Sequence, residues 1–340
     1  MNILIIGAGG FIGSHLVEKI LEEHREYKVT AIDIASEKIS HLLELGDENL
    51  SFIKADILYD HDVMDSQVER SDIVFPLAAI ANPAMYVQDP LRVFELDFEA
   101  NLKVVRLCVK YNKRVIFPST SEVYGMCNDE EFDDETSHCV TGPVCKQRWI
   151  YSCSKQMLDR VIYAHGIRDQ MDYTLFRPFN WIGPRLDDIF NPDNGSSRVV
   201  TQFISNILHS KNINLVDGGW QKRCFVDIAD ATDALIKIIK NENGCAKQQI
   251  FNIGNPDNEL SIRDLAHMIV DLSYNCVKLG ALVGSTSIVD VNSADYYGKS
   301  YQDVRRRVPS IAKTQSLLQW TPNTSVKESI IKILDFYFRQ

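Results

Sequence analysis

Tyr151-Ser152-Cys153-Ser154-Lys155 sets a phenol and an ammonium four residues apart. On a helix that spacing puts both on one face, where the lysine charge lowers the phenol's pKa and the amine can reach a cofactor ribose. A phenolate so placed takes the proton of a substrate hydroxyl while hydride leaves the same carbon. Earlier in the chain, Ser119-Thr120-Ser121-Glu122-Val123-Tyr124-Gly125 follows the apolar run Arg114-Val115-Ile116-Phe117 and brings hydroxyls to the carboxyl edge of a strand. Alone, a Tyr-x-x-x-Lys match reads equally well as a surface tyrosine beside a lysine. With the hydroxyl-rich segment it reads as an alcohol-oxidising site.

Hydride needs an acceptor, and Gly7-Ala8-Gly9-Gly10-Phe11-Ile12-Gly13 offers a place for one. A diphosphate sits on a helix N-terminus only where the backbone comes close, which side chains would prevent. Gly7 permits the tight turn, Gly10 the close approach and Gly13 the packing of helix on sheet; Phe11 and Ile12 belong to the same phosphate-binding turn. Asp33 lies 20 residues beyond Gly13. A carboxylate there accepts hydrogen bonds from ribose hydroxyls and repels a 2′-phosphate, and Ile34-Ala35-Ser36 offers no arginine to neutralise one. NAD is favoured over NADP.

These residues need a frame that gathers strand ends, and the apolar runs supply it. Ile3-Leu4-Ile5-Ile6, Val29-Thr30-Ala31-Ile32, Leu50-Ser51-Phe52-Ile53, Asp72-Ile73-Val74-Phe75, Arg114-Val115-Ile116-Phe117 and Tyr173-Thr174-Leu175-Phe176 read as strands, with helices over 11–21 and 101–111. Strands alternating with helices give an α/β chain with a doubly wound parallel sheet. Ligands of such sheets lie beyond the carboxyl ends of the strands. By that rule Asp56 and Ile57, past the third strand, contact adenine, and Leu77, Ala78 and Ala79, past the fourth, line the nicotinamide side. After Arg177-Pro178-Phe179-Asn180 the regularity weakens. A loop over 187–197 holds Pro192, Asn194 and Gly195, and helices follow over 199–209 and 227–240. The expected division is a dinucleotide-binding region over 1–178 with a returning segment near 225–255, and a smaller, interleaved substrate-binding region over 179–340.

Composition narrows the partners. The 340 residues are 45% apolar, enough for a sizeable core, and carry a formal net charge of −10, which argues against a nucleic-acid backbone as partner. No apolar run is long enough to span a membrane, and Met1-Asn2 opens no signal peptide. The eight cysteines never form Cys-x-x-Cys, so no metal site is expected. Reduced, mostly buried thiols in a cytoplasmic protein are the expectation.

The glycine loop, the 119–125 segment, the Tyr151/Lys155 pair and Arg177-Pro178-Phe179-Asn180 together resemble the extended short-chain dehydrogenases, a family of nucleotide-sugar epimerases, dehydratases and decarboxylases. Within it the chain is most similar to the UDP-glucuronate decarboxylase domain of bacterial polymyxin-resistance enzymes. That likeness runs end to end. Its most particular strings are Gly142-Pro143-Val144, Arg148-Trp149-Ile150-Tyr151, Phe179-Asn180-Trp181-Ile182-Gly183-Pro184-Arg185, Asp217-Gly218-Gly219, Lys222-Arg223-Cys224-Phe225 and Tyr296-Tyr297-Gly298-Lys299-Ser300-Tyr301-Gln302-Asp303.

The resemblance implies a Rossmann fold, NAD as cofactor, a UDP-sugar as substrate and roles for single residues. Thr120 and Ser121 would touch the sugar, and Tyr151 and Lys155 form the oxidising pair. Glu122 and Arg307 match the residues linked to decarboxylation. Ala81, Tyr86, Arg148, Asn180, the segment 214–223 with Arg223, and Tyr301 match UDP-sugar contacts. Arg198, in a Gly-Ser-Ser-Arg string, matches a diphosphate contact. Asn214 stands where the relatives carry lysine. The implied reaction oxidises C4 of UDP-glucuronate, making a ketone β to the carboxylate, and then loses carbon dioxide to give a UDP-4-keto-pentose. The resemblance assigns Arg307 as a proton donor; since a guanidinium gives up its proton poorly, the alternative is that Arg307 orients the carboxylate and Glu122 positions a water. The plainer readings are a solvated arginine in the run Arg305-Arg306-Arg307 and a carboxylate at a turn N-terminus.

Several other outcomes share these opening steps. Returning the hydride gives UDP-xylose; apiose-forming relatives usually carry cysteine where this chain has Ser121, and 4,6-dehydratases an aspartate. A non-catalytic NAD-sensing protein usually loses the tyrosine or the lysine, and both are present. Relatives commonly pair as homodimers through helices corresponding to 101–111 and 151–165. The similar decarboxylases carry a formyltransferase half before this domain, but here the glycine loop begins at residue 7, so formyl transfer is not expected and any separate transferase partner is unspecified.

Overall fold

The computed structural model describes residues 1–191, 197–298 and 300–339. Pro192, Asn194, Gly195, the Gly-Ser pair opening the string before Arg198, and Lys299 lie outside the described residues.

The first six strands fall on the apolar runs: β1 (Asn2–Ile6), β2 (Lys28–Asp33), β3 (Leu50–Lys54), β4 (Ile73–Pro76), β5 (Arg114–Pro118) and β6 (Tyr173–Pro178). Short strands follow as β7 (Trp181–Ile182), β8 (Ile213–Val216), β9 (Lys222–Cys224) and β10 (Val226–Asp227). The chain then adds β11 (Gln249–Ile253), β12 (Glu259–Ser261), β13 (Ile288–Val291) and β14 (Arg306–Arg307). The main sheet runs β11-β6-β5-β4-β1-β2-β3 and is parallel throughout. β4 begins one residue later than its apolar run suggests, because the Asp72 carboxylate turns back to accept from the Asn2 amide at 2.7 Å.

Both faces of this sheet are covered, which is why its strands read as unbroken apolar runs. On one side Ile3, Ile5, Phe75 and Ile116 pack with the helices Phe11–Glu23 and Ile228–Lys240. On the other, Leu4, Val74, Val115 and Phe117 pack with the helices Asn101–Lys110 and Trp149–Asp169. The helix expected from 227 starts at Ile228, since Asp227 is its cap and accepts from the Ala229 amide at 3.0 Å. Its apolar positions Ala231, Leu235 and Ile238 face the core at helical spacing. β10, this helix and β11 carry the chain back from the second region to the edge of the main sheet, making the doubly wound Rossmann sheet seven strands wide.

Much of the remaining chain builds a second core. The helices Val199–Leu208, Ile262–Tyr274 and Val326–Phe338 enclose Phe203, Leu265, Ile269 and Ile330, with β8 and β13 paired beside them. A small sheet, β12-β9-β14, packs Leu260 of β12 against this core. Its register sets Arg307 opposite Arg223. Strand alternation sends Arg306 outward to Glu259 at 2.6 Å and buries Arg307.

Candidate active site

The glycine loop sits at the carboxyl end of β1, beside the switch between β1–β2 and β1–β4 pairing. Gly7 has φ +92°, and a Cβ there would lie 2.6 Å from the Ala78 amide nitrogen, so the turn excludes any side chain. At Gly13 a Cβ would stand 2.4 Å from the Gly7 carbonyl oxygen. The Asp33 carboxylate accepts from the amides of Gly9 at 2.8 Å and Ala35 at 3.1 Å and so pins the loop to the end of β2. A Cβ at Gly10 would have only the Gly7 oxygen near it, at 3.1 Å. The loop's open side therefore presents bare backbone and the N-terminus of the helix Phe11–Glu23 to a cleft of about 550 Å³. Those features fit a dinucleotide diphosphate.

Gly7, Gly10, Phe11, Ile12, Gly13, Leu77 and Ala79 line that cleft together with Ala81, Tyr86, Thr120, Ser121, Tyr151 and Lys155. Ala78 does not: it backs Gly7, and its carbonyl accepts from the Asn101 amide at 3.0 Å. Asp56 and Ile57 stand apart as well. Asp56 turns onto the Leu58 amide at 2.9 Å, and Ile57 packs in the core with Met64 and Val104.

Tyr151 and Lys155 project from the helix Trp149–Asp169, across from the end of β5. The Tyr151 ring stacks on Tyr86 with centroids 4.6 Å apart and planes at 7°, and Thr120 hydrogen-bonds its hydroxyl. Lys155 donates to the Pro118 carbonyl at 3.1 Å and pairs with Asp97 at 3.7 Å. The expected lowering of the phenol's pKa by Lys155 is not found. Burial pushes Tyr151 up, Asp97 and Glu122 push the same way, and the Thr120 hydrogen bond pulls only partly back. The lysine charge is countered by Asp97 before it reaches the phenol.

Glu122 stands in the short helical turn Ser121–Tyr124, which Thr120 caps by accepting from the Glu122 amide at 3.2 Å. It is therefore a carboxylate at a turn N-terminus, but its oxygens are engaged elsewhere. One accepts from Arg148 and the other from Arg307, each at 2.5 Å. Burial pushes its carboxyl up, yet the two guanidiniums, with Arg223 behind them, hold it at about 2. Arg307 is 3% exposed and no solvated surface arginine. Arg148 also donates to the Gln302 carbonyl at 2.9 Å and lies over the Tyr301 ring, and Arg223 pairs with Asp303 at 2.7 Å. Glu122 and Arg307 form a wall shared with a smaller cavity of about 190 Å³, lined also by Arg148, Asn180, Arg198, Asn214, Arg223 and Tyr301. There Asn180, in a left-handed backbone with φ 44°, donates to the Cys224 carbonyl at 3.0 Å. Arg198 is held by Asp187 at 2.7 Å.

Asp97 was absent from the sequence-based candidates. So were Gln302 and Asp303, which hold Arg148 and Arg223. The thiols also differ from expectation: only Cys108 and Cys224 are buried, and Cys145 and Cys153 are exposed. Among the described residues no helix is long and apolar enough to cross a membrane, and no group of His, Cys, Asp and Glu is arranged to hold a metal ion.

A family model described as the NAD dependent epimerase/dehydratase family matches residues 3–254. The chain belongs to that family. This epimerase/dehydratase uses NAD, which the cradle around Gly7–Gly13 and Asp33 fits. It is similar over its whole length to the PbgP3 protein of Burkholderia pseudomallei, with 44% identity and a TM-score of 0.90 across 100% of this chain and 96% of that one. UDP-glucuronic acid 4-epimerase from Bacillus cereus, solved with UDP-glucuronic acid and NAD, is 23% identical with a TM-score of 0.80, covering 99% of this chain and 98% of its own. dTDP-glucose 4,6-dehydratase from Bacillus anthracis, solved with NAD, is 19% identical with a TM-score of 0.79, covering 100% and 97%. These last two share the fold.

Proposed function

We propose that this epimerase/dehydratase-family protein is a UDP-glucuronate decarboxylase that oxidises C4 of the sugar and releases its carboxylate as carbon dioxide. The observation that carries the reading is the Arg148–Glu122–Arg307 arrangement beside Thr120 and Tyr151. Arg148, Arg223 and Arg307 against Glu122 and Asp303 leave one uncompensated positive charge in this cluster. A neutral hexose has no use for it at the sugar end of the cleft; a uronate has. Ser121, where a 4,6-dehydratase carries an aspartate, offers no general acid.

NAD, held by the Gly7–Gly13 loop, would supply the hydride acceptor when bound. Tyr151 Oη takes the proton of the C4 hydroxyl, held in line by Thr120. Once C4 is a ketone, the electrons of the bond to the carboxylate carbon move toward the ketone oxygen as carbon dioxide leaves. Tyr151 and Thr120 donate hydrogen bonds to that oxygen as its charge grows, an effect often worth about 3 kcal/mol per donor. Arg307 orients the carboxylate and keeps its proton. Glu122, ionised down to a pH of about 2, is no proton source. It fixes the two arginines and orients a water, which relays to C5 the proton that Tyr151 removed. The product is a UDP-4-keto-pentose.

The test is one incubation of the purified protein with UDP-glucuronate and excess NAD. Carbon dioxide with an equal amount of reduced cofactor is the expected result. Carbon dioxide without reduced cofactor would mean that the ketone is reduced back to UDP-xylose. An epimer with its carboxylate intact would overturn the decarboxylase reading.

A further inference from the structure

Between the helix Pro90–Phe94 and the helix Asn101–Lys110 the chain makes a π-helical turn, Glu95–Ala100. A π turn inserts one extra residue, is rare, and is frequently found at functional sites. The wider turn is supported by Asn101, whose side-chain amide donates to the Leu96 carbonyl at 2.8 Å and to Ala78 at 3.0 Å. The result is to aim Asp97, fully buried, at the equally buried Lys155. One Asp97 oxygen accepts from the Ile80 amide at 2.9 Å. The other has no hydrogen bond and lies 3.7 Å from the Lys155 ammonium.

We propose that Asp97 is a positioning residue: its carboxylate holds Lys155 as an ammonium and fixes it between the Pro118 carbonyl and the phenol of Tyr151. Neither charge has water to fall back on, and a buried charge persists only beside a partner. The groups facing Lys155 are few. From the π turn comes Asp97; from its own helix come Asp159 and the Tyr151 ring, at 5.9 Å from its centroid; from β5 come the Pro118 carbonyl and the Phe117 ring at 4.8 Å. Asp159 is already engaged by Ser119 at 2.8 Å and Arg177 at 3.2 Å. Both contacts use one Asp159 oxygen, and among the described residues Asp97 is the carboxylate within ion-pair distance of the lysine, at 3.7 Å. Burial pushes Lys155 down and Asp97 pulls it back up. Burial likewise pushes Asp97 up to about 6, against the pull of Lys155.

The inference rests on the reading of Tyr151 and Lys155 as the oxidising pair, so its test has an arm that needs no turnover. In Asp97→Asn, kcat should fall at least tenfold with KM for UDP-glucuronate nearly unchanged. The basic limb of its kcat profile should move toward neutrality by a pH unit or more, as Lys155 gives up its proton sooner. In thermal melts, Asp97→Asn should unfold below wild type, and Asp97→Asn/Lys155→Met should melt above the single variant, because the unpaired charge is gone. If the single variant does not fold and the double variant does, the proposal is supported in the same way. An unshifted pH profile, or a double variant that melts with or below Asp97→Asn or also fails to fold, would overturn it and leave Asp97 as a prop for the Ile80 amide. Should the wild type not turn over UDP-glucuronate, the decarboxylase reading fails and the melts still judge Asp97.

Discussion

Replacing Glu122 by glutamine removes the one anion shared by Arg148 and Arg307 while keeping its shape. The size of the effect follows from the site. An ordinary glutamate carboxyl titrates near 4.5, and this one is held at about 2; the ionised form is favoured by roughly 3 kcal/mol. Little of this is lost to solvent, as the Glu122 side chain is 14% exposed and the two arginines less. The folded-state pKa lies below the unfolded one. The stabilisation is therefore complete above about pH 4.5 and disappears as the pH falls toward 2. Glu122→Gln should lower the unfolding free energy by about 3 kcal/mol at pH 7 but by only about 1 kcal/mol at pH 3, because wild type has itself lost most of the contribution there. Urea unfolding followed by circular dichroism at both pH values measures the two differences. Equal losses at pH 3 and pH 7, or a loss near zero at pH 7, would mean that desolvating the three charges cancels their attraction, and the clamp would then be no source of stability.

Tyr151→Phe should reduce turnover by about 10³-fold while leaving NAD affinity within a factor of two; product assays and calorimetric titration check the pair, and retained turnover would remove Tyr151 as the base. Arg307→Met should weaken UDP-glucuronate binding about tenfold or more and leave UDP binding unchanged. Equal weakening of both would assign Arg307 to the diphosphate. Cys153, Met157, Ala164 and Ile167 form an exposed stripe along the helix Trp149–Asp169, with Met157 51% and Ile167 65% exposed. If homodimers form through this helix, Met157→Glu/Ile167→Glu should halve the mass seen by light scattering, and a mass unchanged by the substitutions would move the interface elsewhere.

Much of the frame was written in the sequence because its signals are local. Ile3–Ile6, Val74–Phe75 and Val115–Phe117 are unbroken apolar runs, and a parallel sheet covered on both faces demands such runs. The glycine loop was equally plain, since Gly7 and Gly13 stand where a Cβ would strike backbone. The Tyr151 and Lys155 spacing told where the pair sits but misjudged its electrostatics. Spacing puts two side chains on one face; it does not tell that Tyr86 covers the phenol or that an acid from another helix claims the amine.

Asp97 shows why that acid escaped notice. Glu95-Leu96-Asp97-Phe98-Glu99 looks like an ordinary stretch of amphipathic helix, on which acids usually face water. A one-residue widening turns Asp97 inward, and nothing in residue type or period distinguishes a π turn from an α turn beforehand; Asn101, bonded to Leu96, is the only local trace. Arg307 was named by the resemblance, but its burial was hidden for the opposite reason, distance along the chain. Its burial depends on β14 lying beside β9 with Arg307 opposite Arg223, a pairing between segments more than eighty residues apart. Because a strand alternates its faces, a slip of one residue in that pairing would bury Arg306 and expose Arg307. Glu259 outside and Glu122 inside each meet one of the two arginines, at 2.6 Å and 2.5 Å. The register that builds the candidate site is therefore held by the charges on both faces of a two-residue strand, and the residue proposed to orient the substrate carboxylate is also one that locks β14 in place.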